Sequence, residues 1–276
     1  MMCRLMGVPR AGFYHYQTHT MKKHDDPVYR QLLAEVKQIA QETDRSYGSR
    51  RMGKALTQRG FSVSHGRARN LMKAASVQVK HKRNYRVTTN SDHKQPVFEH
   101  VLKRNFSPAR PDQVYASDIT YVWTQEGWLY LAVVIDLYSR KVVGWSMSSR
   151  MKSDMVCDAL KMAIWRRRPQ AGLIHHSDRG SQYASKIFRQ LLDVYGITGS
   201  MSRKGNCWDN SVVESFFGSL KQERVHWRNY QTRLEAQQDI LQYIAVFYNS
   251  CRLHSTLGYV CPDEYERQFN DVKKVA

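Results

Sequence analysis

Residues 114–147 read VYASDITYVWTQEGWLYLAVVIDLYSRKVVGWSM, and this stretch decides the fold. β-Branched and aromatic residues dominate three runs, 114–123, 128–135 and 141–147, and polar residues separate the runs. The pattern predicts three consecutive strands, with one turn over 124–127 and another that begins at Asp136. Runs this apolar indicate a sheet with one or both faces covered.

Downstream of these strands, the spacing of apolar residues alternates between helical and extended patterns. Ser185 is a candidate helix cap, and Gly196 is a candidate helix end. We expect helices over 152–168, 185–195 and 210–223, and short strands over 172–176 and 197–201. Strands alternating with helices in this way predict an α/β layered architecture.

Upstream, the sequence predicts three short helices, over 28–41, over 49–59 and from Ser62 or Ser64 to 75. Gly60 is placed to end the second helix. This grouping resembles a helix-turn-helix unit, and the alternative is a small basic helical bundle. The third helix carries three basic residues where a recognition helix contacts phosphates or bases: Arg67, Arg69 and Lys73.

The net charge of the chain indicates a polyanionic partner. The 276 residues carry 43 Lys and Arg against 24 Asp and Glu, which gives +19 and a pI of about 9.8. Either nucleic acid or an anionic membrane surface fits this charge. The longest apolar run, 128–135, is far shorter than the roughly 20 residues of a membrane-spanning helix, and no signal peptide is visible. We therefore expect a nucleic-acid partner and no membrane.

The positive charge is concentrated in the N-terminal part of the chain. Residues 1–110 hold 22 Lys and Arg against 7 Asp and Glu, a net of +15, whereas 111–276 carry +4. The asymmetry indicates a chain of two parts, and the polar, basic, proline-containing segment 81–110 predicts a linker between them. The linker is either a solvated tether or a segment that follows DNA. Five scattered cysteines without a C-x-x-C pair indicate a reducing compartment.

Three carboxylates are candidates for a metal site. Asp118 lies within the first predicted strand, Asp178 follows the short strand, and Glu214 lies near the start of the last helix. Such positions can converge at one sheet edge, where the charges would repel unless Mg²⁺ or Mn²⁺ neutralised them. Two ions about 4 Å apart suit phosphodiester chemistry. By pattern alone Asp136 and Asp209 are equally prominent, although we expect Asp209 to cap a helix.

The spacing and the surrounding sequence resemble a known family. Asp178 and Glu214 are separated by 35 residues, which is similar to the D,D(35)E signature of retroviral integrases and bacterial insertion-sequence transposases. Five further segments resemble the second-reading-frame (orfB-type) transposases: SDITY at 117–121, VIDLYSR at 134–140, HHSDRGSQY at 175–183, KGNCWDN at 204–210 with ESFF at 214–217, and Tyr248, Asn249, Arg252, His254, Leu257 and Pro262. The likeness covers nearly the whole chain.

This resemblance implies an α/β ribonuclease H-like (retroviral integrase) core, preceded by a small all-α helix-turn-helix-like unit. The expected division of the chain is an entry segment 1–24, a DNA-binding unit 25–80, a basic linker 81–110 and a catalytic core with C-terminal helices 111–270. It implies that Asp118, Asp178 and Glu214 are the catalytic metal ligands, with Mg²⁺ or Mn²⁺ as two ions. Such enzymes carry a basic residue seven positions after the glutamate, here Lys221. Seven residues are about two helical turns, so Lys221 is expected on the face of Glu214, roughly 10 Å away, where it can hold a DNA phosphate.

Further roles are expected around this site. Arg203 and Lys204 lie in a predicted active-site loop and are candidate DNA contacts. His175 and His176 are expected to pack or to bind phosphate rather than to ligate metal. Four apolar residues should dock the last helix: Val213, Phe216, Phe217 and Leu220. Three tryptophans are expected in the core: Trp123, Trp128 and Trp145.

The expected function is that of a DDE transposase, which cuts DNA at insertion-sequence ends and joins the 3′-hydroxyl to another strand without a covalent enzyme–DNA intermediate. In such a family a first-reading-frame protein, or a frameshift fusion with it, usually supplies end recognition and multimerisation. The chain alone is therefore expected to be weak or inactive. We expect a multimer on DNA, in the bacterial cytoplasm and associated with the nucleoid.

Two alternatives remain at this point. A ribonuclease H-like nuclease without strand transfer would have the same site, and a joining assay with a pre-cut 3′ end separates the two. A DNA-binding regulator without catalysis would use only the basic N-terminal unit. Its binding would persist in chelator, and it would cleave in neither Mg²⁺ nor Mn²⁺.

Overall fold

The computed structural model of the chain describes residues 6–17, 26–80, 97–99, 101, 107–203 and 210–275. These residues belong to two compact units, Met1–Lys80 and His81–Ala276. Within the described ranges, no helix is both long enough and apolar enough to cross a membrane.

The N-terminal unit is helical, as its sequence predicts. Asp26 caps the longest helix by accepting a hydrogen bond from the Val28 N–H at 2.9 Å. Ser64 caps the last helix by accepting from the Arg67 N–H at 3.3 Å, and Gly60 ends the preceding helix with a φ of 89°. The helices are α1 (Arg10–His15), α2 (Pro27–Glu42), α3 (Ser49–Gln58) and α4 (His65–Ala74).

A small apolar core holds α2, α3 and α4 together. α3 and α4 pack closely at Gly53 and Ala68, where a Cβ on residue 53 would lie 3.5 Å from the Ala68 Cβ, an ordinary contact distance. The buried side chains come from all three helices: Leu32, Val36 and Ile39, then Met52 and Leu56, then Ala68, Leu71 and Met72. The predicted helices are confirmed, with ends that differ by one or two residues.

The second unit is built on a five-stranded sheet in the order β3-β2-β1-β4-β5. Strands β1 to β3 are antiparallel, and β4 and β5 run parallel to β1. The strands are β1 (Val114–Thr124), β2 (Gly127–Asp136), β3 (Val142–Ser148), β4 (Ile174–Ser177) and β5 (Thr198–Met201). Every strand lies within two residues of its predicted position.

Helices cover both faces of this sheet, so alternate residues of each strand belong to different cores. One core joins the sheet to α5 (Ser153–Arg167) and α6 (Lys186–Val194). The other joins it to α7 (Ser211–Glu223), α8 (Arg233–Gln242) and a π-helical segment (Tyr243–Tyr248). The chain then forms α9 (Pro262–Val275). The predicted α/β architecture of the ribonuclease H-like type is confirmed.

Gly144 in β3 is required for the packing of α5. A Cβ at this position would lie 2.2 Å from the Ala159 carbonyl oxygen and 2.9 Å from the Ala163 nitrogen. Both atoms belong to the backbone of α5, so no side-chain rotation can relieve the overlap. The helix therefore packs directly on the strand because the residue there is glycine.

Two of the three tryptophans predicted in the core are exposed, and that prediction is wrong. Trp123 and Trp128 are 53% and 43% exposed and face each other across the β1–β2 hairpin, whereas Trp145 is buried as expected. Alternating apolar residues show which face of a strand is turned toward the core. They do not show how far the covering helices extend along it, and these two tryptophans lie next to the hairpin turn.

Asp136 begins a turn after β2, as predicted. Its Oδ1 accepts a hydrogen bond from the Tyr138 N–H at 2.7 Å, and its Oδ2 accepts one from the Asp112 N–H at 2.7 Å. The carboxyl is fully buried, and this burial raises its pKa to about 7. Asp136 therefore has a structural role, and Asp209, the other prominent acid, lies outside the described residues.

Candidate active site

The pairing of β1 with β4 brings the two aspartates together. These neighbouring parallel strands pair Ser117 with Ser177, and the next residue on each is an aspartate: Asp118 lies within β1, and Asp178 directly follows β4. Adjacent strands in a sheet are about 4.8 Å apart. Residues that are distant in the sequence therefore become neighbours at this edge of the sheet.

Backbone N–H groups orient both carboxylates. Oδ1 of Asp118 accepts a hydrogen bond from the Ile119 N–H at 2.7 Å, and Oδ1 of Asp178 accepts one from the Gly180 N–H at 2.9 Å. A Cβ at position 180 would lie 3.0 Å from that Asp178 oxygen, tighter than an ordinary contact. The glycine of the DRG sequence therefore lets the backbone approach the carboxylate.

Glu214 reaches the same region from the first turn of α7. The four apolar residues predicted to dock this helix are all buried: Val213, Phe216, Phe217 and Leu220. Asn210, at the N-cap position, donates a hydrogen bond from its side-chain nitrogen to the Ser117 carbonyl at 3.2 Å. This bond ties the start of α7 to β1, one residue before Asp118.

The pKa shifts show that these groups act on one another. Burial of its carboxylate, followed by the charge of Asp178, raises the pKa of Asp118 well above its usual value, and Glu214 adds to the effect. Most of Glu214 is exposed, but partial burial and the charge of Asp178 still raise the pKa of its carboxyl. Burial lowers the pKa of Lys221, and the charge of Asp118 opposes that shift.

The donor set fits a hard divalent cation. In the described part of the chain, no three His, Cys, Asp or Glu side chains are already close enough to hold a metal. In addition to burial, the charges of Asp178 and Glu214 nevertheless raise the pKa of Asp118, the charge of Asp178 raises that of Glu214, and a dication relieves such repulsion between carboxylates. Asp118, Asp178 and Glu214 are therefore the residues that would hold Mg²⁺ or Mn²⁺.

The two histidines of the HHSD sequence pack in the sheet. Both are buried, and His175 Nε2 lies 2.7 Å from the Ser117 hydroxyl. His176 lies between two serine hydroxyls, with Nδ1 3.0 Å from Ser200 and Nε2 3.2 Å from Ser202. Burial lowers the pKa of His175 to about 3, so the ring is neutral at physiological pH. Both residues therefore have a structural role, since their buried rings contact serine hydroxyls of the neighbouring chain segments.

Tyr183 is a residue near the site that the sequence did not single out. Its side chain is buried, and its hydroxyl has no hydrogen-bond partner among the described residues. Burial, together with the charges of Asp118 and Asp178, raises the pKa of this phenol. An unsatisfied donor beside two carboxylates is consistent with a site that is completed by a ligand.

The predicted DNA contacts lie in different parts of the molecule. The ammonium of Lys221 lies 5.3 Å from the centroid of the Tyr121 ring and interacts with Asp118. Arg203 is exposed, and Lys204 lies outside the described residues. In the N-terminal unit, Arg67, Arg69 and Lys73 are exposed on α4, beside its buried face of Ala68, Leu71 and Met72.

A buried polar network behind the site was also missed from the sequence. The Arg252 guanidinium donates to both Glu223 carboxylate oxygens, at 2.7 and 2.8 Å, and to the Ser219 hydroxyl at 2.9 Å. The Tyr243 hydroxyl donates to Glu223 at 2.7 Å. This network fixes the C-terminal half of α7, which carries Lys221. The Tyr248–Arg252–His254 pattern was visible in the sequence, but it did not reveal the partner of Arg252.

Two adjacent aspartates on a sheet of this topology, with a glutamate on the adjoining helix, define a nucleic-acid-processing enzyme of the integrase type. Comparison with family models agrees with this class. Residues 108–207 and 214–269 match models described as "Integrase core domain", and residues 29–85 match an "HTH-like domain". The chain therefore contains DNA-binding and integrase-type catalytic parts.

The curated relatives give the family. The chain is 41% identical to the "Insertion element IS600 uncharacterized 31 kDa protein" of Shigella sonnei, over 98% of this chain and 99% of that protein. It is 38% identical to "Transposase InsF for insertion sequence IS3A" of Escherichia coli K12, over 97% and 93%. The chain belongs to this family of insertion-sequence transposases with an integrase core, and it is a DDE-type polynucleotidyl transferase.

Among solved structures, the magnesium complex of the HTLV-2 integrase catalytic core domain is similar to part of the chain. The TM-score is 0.44, with 17% identity over 57% of this chain and 98% of that one.

Proposed function

We propose that this transposase cleaves DNA at insertion-sequence ends and transfers the freed 3′-hydroxyl to another strand at Asp118, Asp178 and Glu214. The observation that carries the proposal is the β1–β4 register, which pairs Ser117 with Ser177, the residues directly before Asp118 and Asp178. Asn210 adds support, because it ties the helix that carries Glu214 to the same strand. When bound at these carboxylates, two Mg²⁺ or Mn²⁺ ions would activate the attacking oxygen and stabilise the leaving one.

The residues of the chain itself position the DNA for this reaction. The N–H groups of Ile119 and Gly180 hold the two aspartates in fixed orientations. The Lys221 ammonium interacts with Asp118 and can pair with a non-bridging phosphate oxygen at the cleavage point. Water and then the 3′-hydroxyl are the attacking groups, so no protein nucleophile is required.

The N-terminal unit would bind the DNA sequence-specifically or along its backbone. Arg67, Arg69 and Lys73 are exposed on one capped helix, in the part of the chain that carries most of the positive charge. Arg203 and Lys204 would add contacts near the catalytic centre. The proposal includes the division of the chain into four parts, with the linker at 81–110.

We further propose that the protein acts as a multimer on DNA, at the bacterial nucleoid, together with a first-reading-frame protein or as a fusion with it. The family resemblance supports this assembly, since two-frame elements divide end recognition and catalysis between the frames. The prediction is that adding the first-frame protein increases strand transfer by this chain.

Asp178→Asn tests the catalytic assignment. The substitution keeps the side-chain volume and removes the charge needed to hold the cation, so cleavage and joining should fall below detection in Mg²⁺. DNA binding, measured in chelator, should be unchanged. Asp193→Asn, at an exposed position on α6, is the matched control and should cleave like the unmodified protein.

The same assay separates the alternatives. A pre-cut 3′ end supplied to the unmodified protein should be joined to a second duplex, which a nuclease without strand transfer would not do. Full cleavage by Asp178→Asn in Mg²⁺ would contradict the site. Another outcome is that the unmodified protein binds DNA without cleaving it, even when the first-frame protein is added. That result would favour a DNA-binding regulator.

A further inference from the structure

An exposed group of aromatic rings lies on the β1–β2 hairpin. Trp128 forms edge-to-face contacts with Tyr121 and with Trp123, each with ring centroids 4.8 Å apart. Trp123 is 53% exposed and Trp128 is 43% exposed. Single exposed aromatic residues are common, but a contiguous group marks a binding surface. We call Tyr121, Trp123 and Trp128 the hairpin aromatic cluster.

The hairpin aromatic cluster is continuous with the candidate active site. The Lys221 ammonium interacts with Asp118 and lies 5.3 Å from the centroid of the Tyr121 ring. The side chains of Asp118 and Tyr121 point to opposite faces of the sheet, so Lys221 lies at the β1 edge between them. Beyond Ser117, β1 pairs only with β2 among the described residues, so no further strand of the sheet lies along that edge.

The spacing along β1 matches the spacing of nucleotides. A strand rises about 3.3 Å per residue, so Tyr121 is roughly 10 Å and Trp123 roughly 17 Å from Asp118 along β1. One DNA strand advances about 3.4 Å per nucleotide when stacked. The rings therefore lie about three to five nucleotides from a phosphate held at Asp118.

The hairpin is held in place before any ligand binds. The Arg233 guanidinium donates to the Trp128 carbonyl at 3.1 Å and also to the Glu126 carbonyl, and the Arg233 N–H donates to the Glu126 carboxylate at 2.8 Å. The Gln125 N–H donates to the Tyr230 carbonyl at 3.0 Å. Because α8 and its N-terminal connection fix the turn, the rings need little ordering on binding.

We propose that the hairpin aromatic cluster stacks unpaired bases of the DNA strand that enters the active site. Aromatic faces stack on any base, and a neighbouring cation holds the phosphate. Lys221 supplies that cation. A second copy of this chain is the less suitable occupant, since the part that carries this cluster, residues 111–276, has a net charge of +4 and offers no excess of negative charge to Lys221. The proposal rests on the proposed function, because it assumes that DNA passes Asp118.

The test compares two probes on the full chain in chelator. One is a fluorescent blunt duplex of about twenty base pairs, and the other is the same duplex with a single-stranded tail of about five nucleotides on either strand. The unmodified protein should bind a tailed duplex more tightly. Trp123→Ala and Trp128→Ala should each weaken binding of the tailed duplex by about tenfold and of the blunt duplex by about twofold or less.

Two further variants control for folding and for general loss of an exposed ring. Trp123→Phe keeps an aromatic face and should retain most of the preference for the tail. Trp165→Ala removes a tryptophan that is 78% exposed on α5, and it should leave both affinities unchanged. Equal melting temperatures of the variants would show that the fold is intact. If Trp123→Ala melts at a lower temperature, the effect of losing the ring at this position is judged from Trp128→Ala, with Trp123→Phe as the folded variant at position 123.

Three results would overturn the proposal. The first is no preference of the unmodified protein for either tailed duplex. The second is an equal loss on blunt and tailed probes in the Trp123 and Trp128 variants. The third is that the Trp123 and Trp128 variants keep the preference for the tailed duplex but self-associate differently in the absence of DNA. That result would make the cluster a contact between copies of the chain. Because binding is measured in chelator, none of these results depends on the outcome for Asp178→Asn.

Discussion

At the scale of single residues, Lys221 is the residue that we propose connects the candidate metal ligands with the DNA. It is half-buried, its pKa is lowered by burial, and the charge of Asp118 favours its protonated form. Binding of a phosphate costs such a cation little further desolvation free energy, because part of its hydration is already lost. The position of its ammonium next to Tyr121 also fixes the direction in which it can reach.

Lys221→Ala should slow strand cleavage by roughly ten- to a hundredfold, the range expected for loss of a charge-assisted hydrogen bond. Lys221→Arg should retain most of the rate, since it keeps the positive charge. Single-turnover cleavage of a labelled end at saturating protein measures the effect. Cleavage by Lys221→Ala at the unmodified rate would exclude a phosphate contact at the reacting centre.

His175 gives the fold a pH dependence. Its folded pKa is about 3, against an ordinary value of 6.5, so the unfolded chain binds the proton more readily. The stability contribution is therefore complete above about pH 6.5 and is lost as the pH falls toward 3. Between pH 7 and pH 5 we expect the free energy of unfolding to drop by about 2 kcal/mol from this residue.

His175→Gln isolates this contribution. The variant should lose about 2 kcal/mol less stability than the unmodified protein between pH 7 and pH 5 in urea unfolding. The comparison is made between the two proteins because burial also raises the pKa values of Asp118 and Asp136, which changes stability in the opposite direction. Parallel pH profiles of the two proteins would contradict the assignment.

At the scale of helices and strands, α7 is fixed at both ends by polar contacts that cross the fold. Asn210 bonds β1 at its start, and Glu223 pairs with the buried Arg252 near its end. Glu214 and Lys221 lie between these two contacts. The helix is therefore held in register along its own axis, which apolar packing alone does not guarantee.

Arg252→Ala should destabilise the catalytic unit by about 3–5 kcal/mol, because it leaves the Glu223 carboxylate buried without its charged partner. Chemical unfolding followed by circular dichroism measures the loss. Arg267→Ala is the matched control, since its ion pair with Glu264 is exposed and should contribute less than about 1 kcal/mol. Similar losses in the two variants would show that the Arg252 network does not stabilise α7.

The sequence predicts these elements better than it predicts their partners. Apolar periodicity located every strand of the catalytic core and the helices α5, α6 and α7, because each pattern repeats over neighbouring residues, but it gave no bounds for α8 and α9. Arg252 and Glu223 are 29 positions apart, and no local pattern links them. The exposure of Trp123 and Trp128 was missed for a related reason, since it depends on where helices from distant segments end.

At the scale of the whole molecule, the charge divides the chain into a strongly basic part and a nearly neutral part. The N-terminal 110 residues carry +15, and the rest carries +4. The resemblance in the sequence selected the three carboxylates among 24 acids, and β-sheet pairing then places two of them side by side. Charge alone predicts a polyanionic partner but not the chemistry.

DNA binding by the whole chain should weaken steeply with salt. Each phosphate contact contributes about 0.9 to the slope of the logarithm of affinity against the logarithm of salt concentration. Replacing Arg67, Arg69 and Lys73 together with alanine should lower that slope by up to about 3. Fluorescence anisotropy between low and physiological salt measures it, and an unchanged slope would mean that α4 does not contact the backbone.

The pairing of β1 with β4 also bears on when the protein becomes able to cut DNA. Asp118 and Asp178 are sixty positions apart, and β2, β3 and α5 lie between them. Contacts of such long range form late, because the chain between them must be ordered first. The two aspartates therefore become neighbours only once β1 and β4 have paired across the intervening elements, whereas α2, α3 and α4 pack through contacts that are short in sequence.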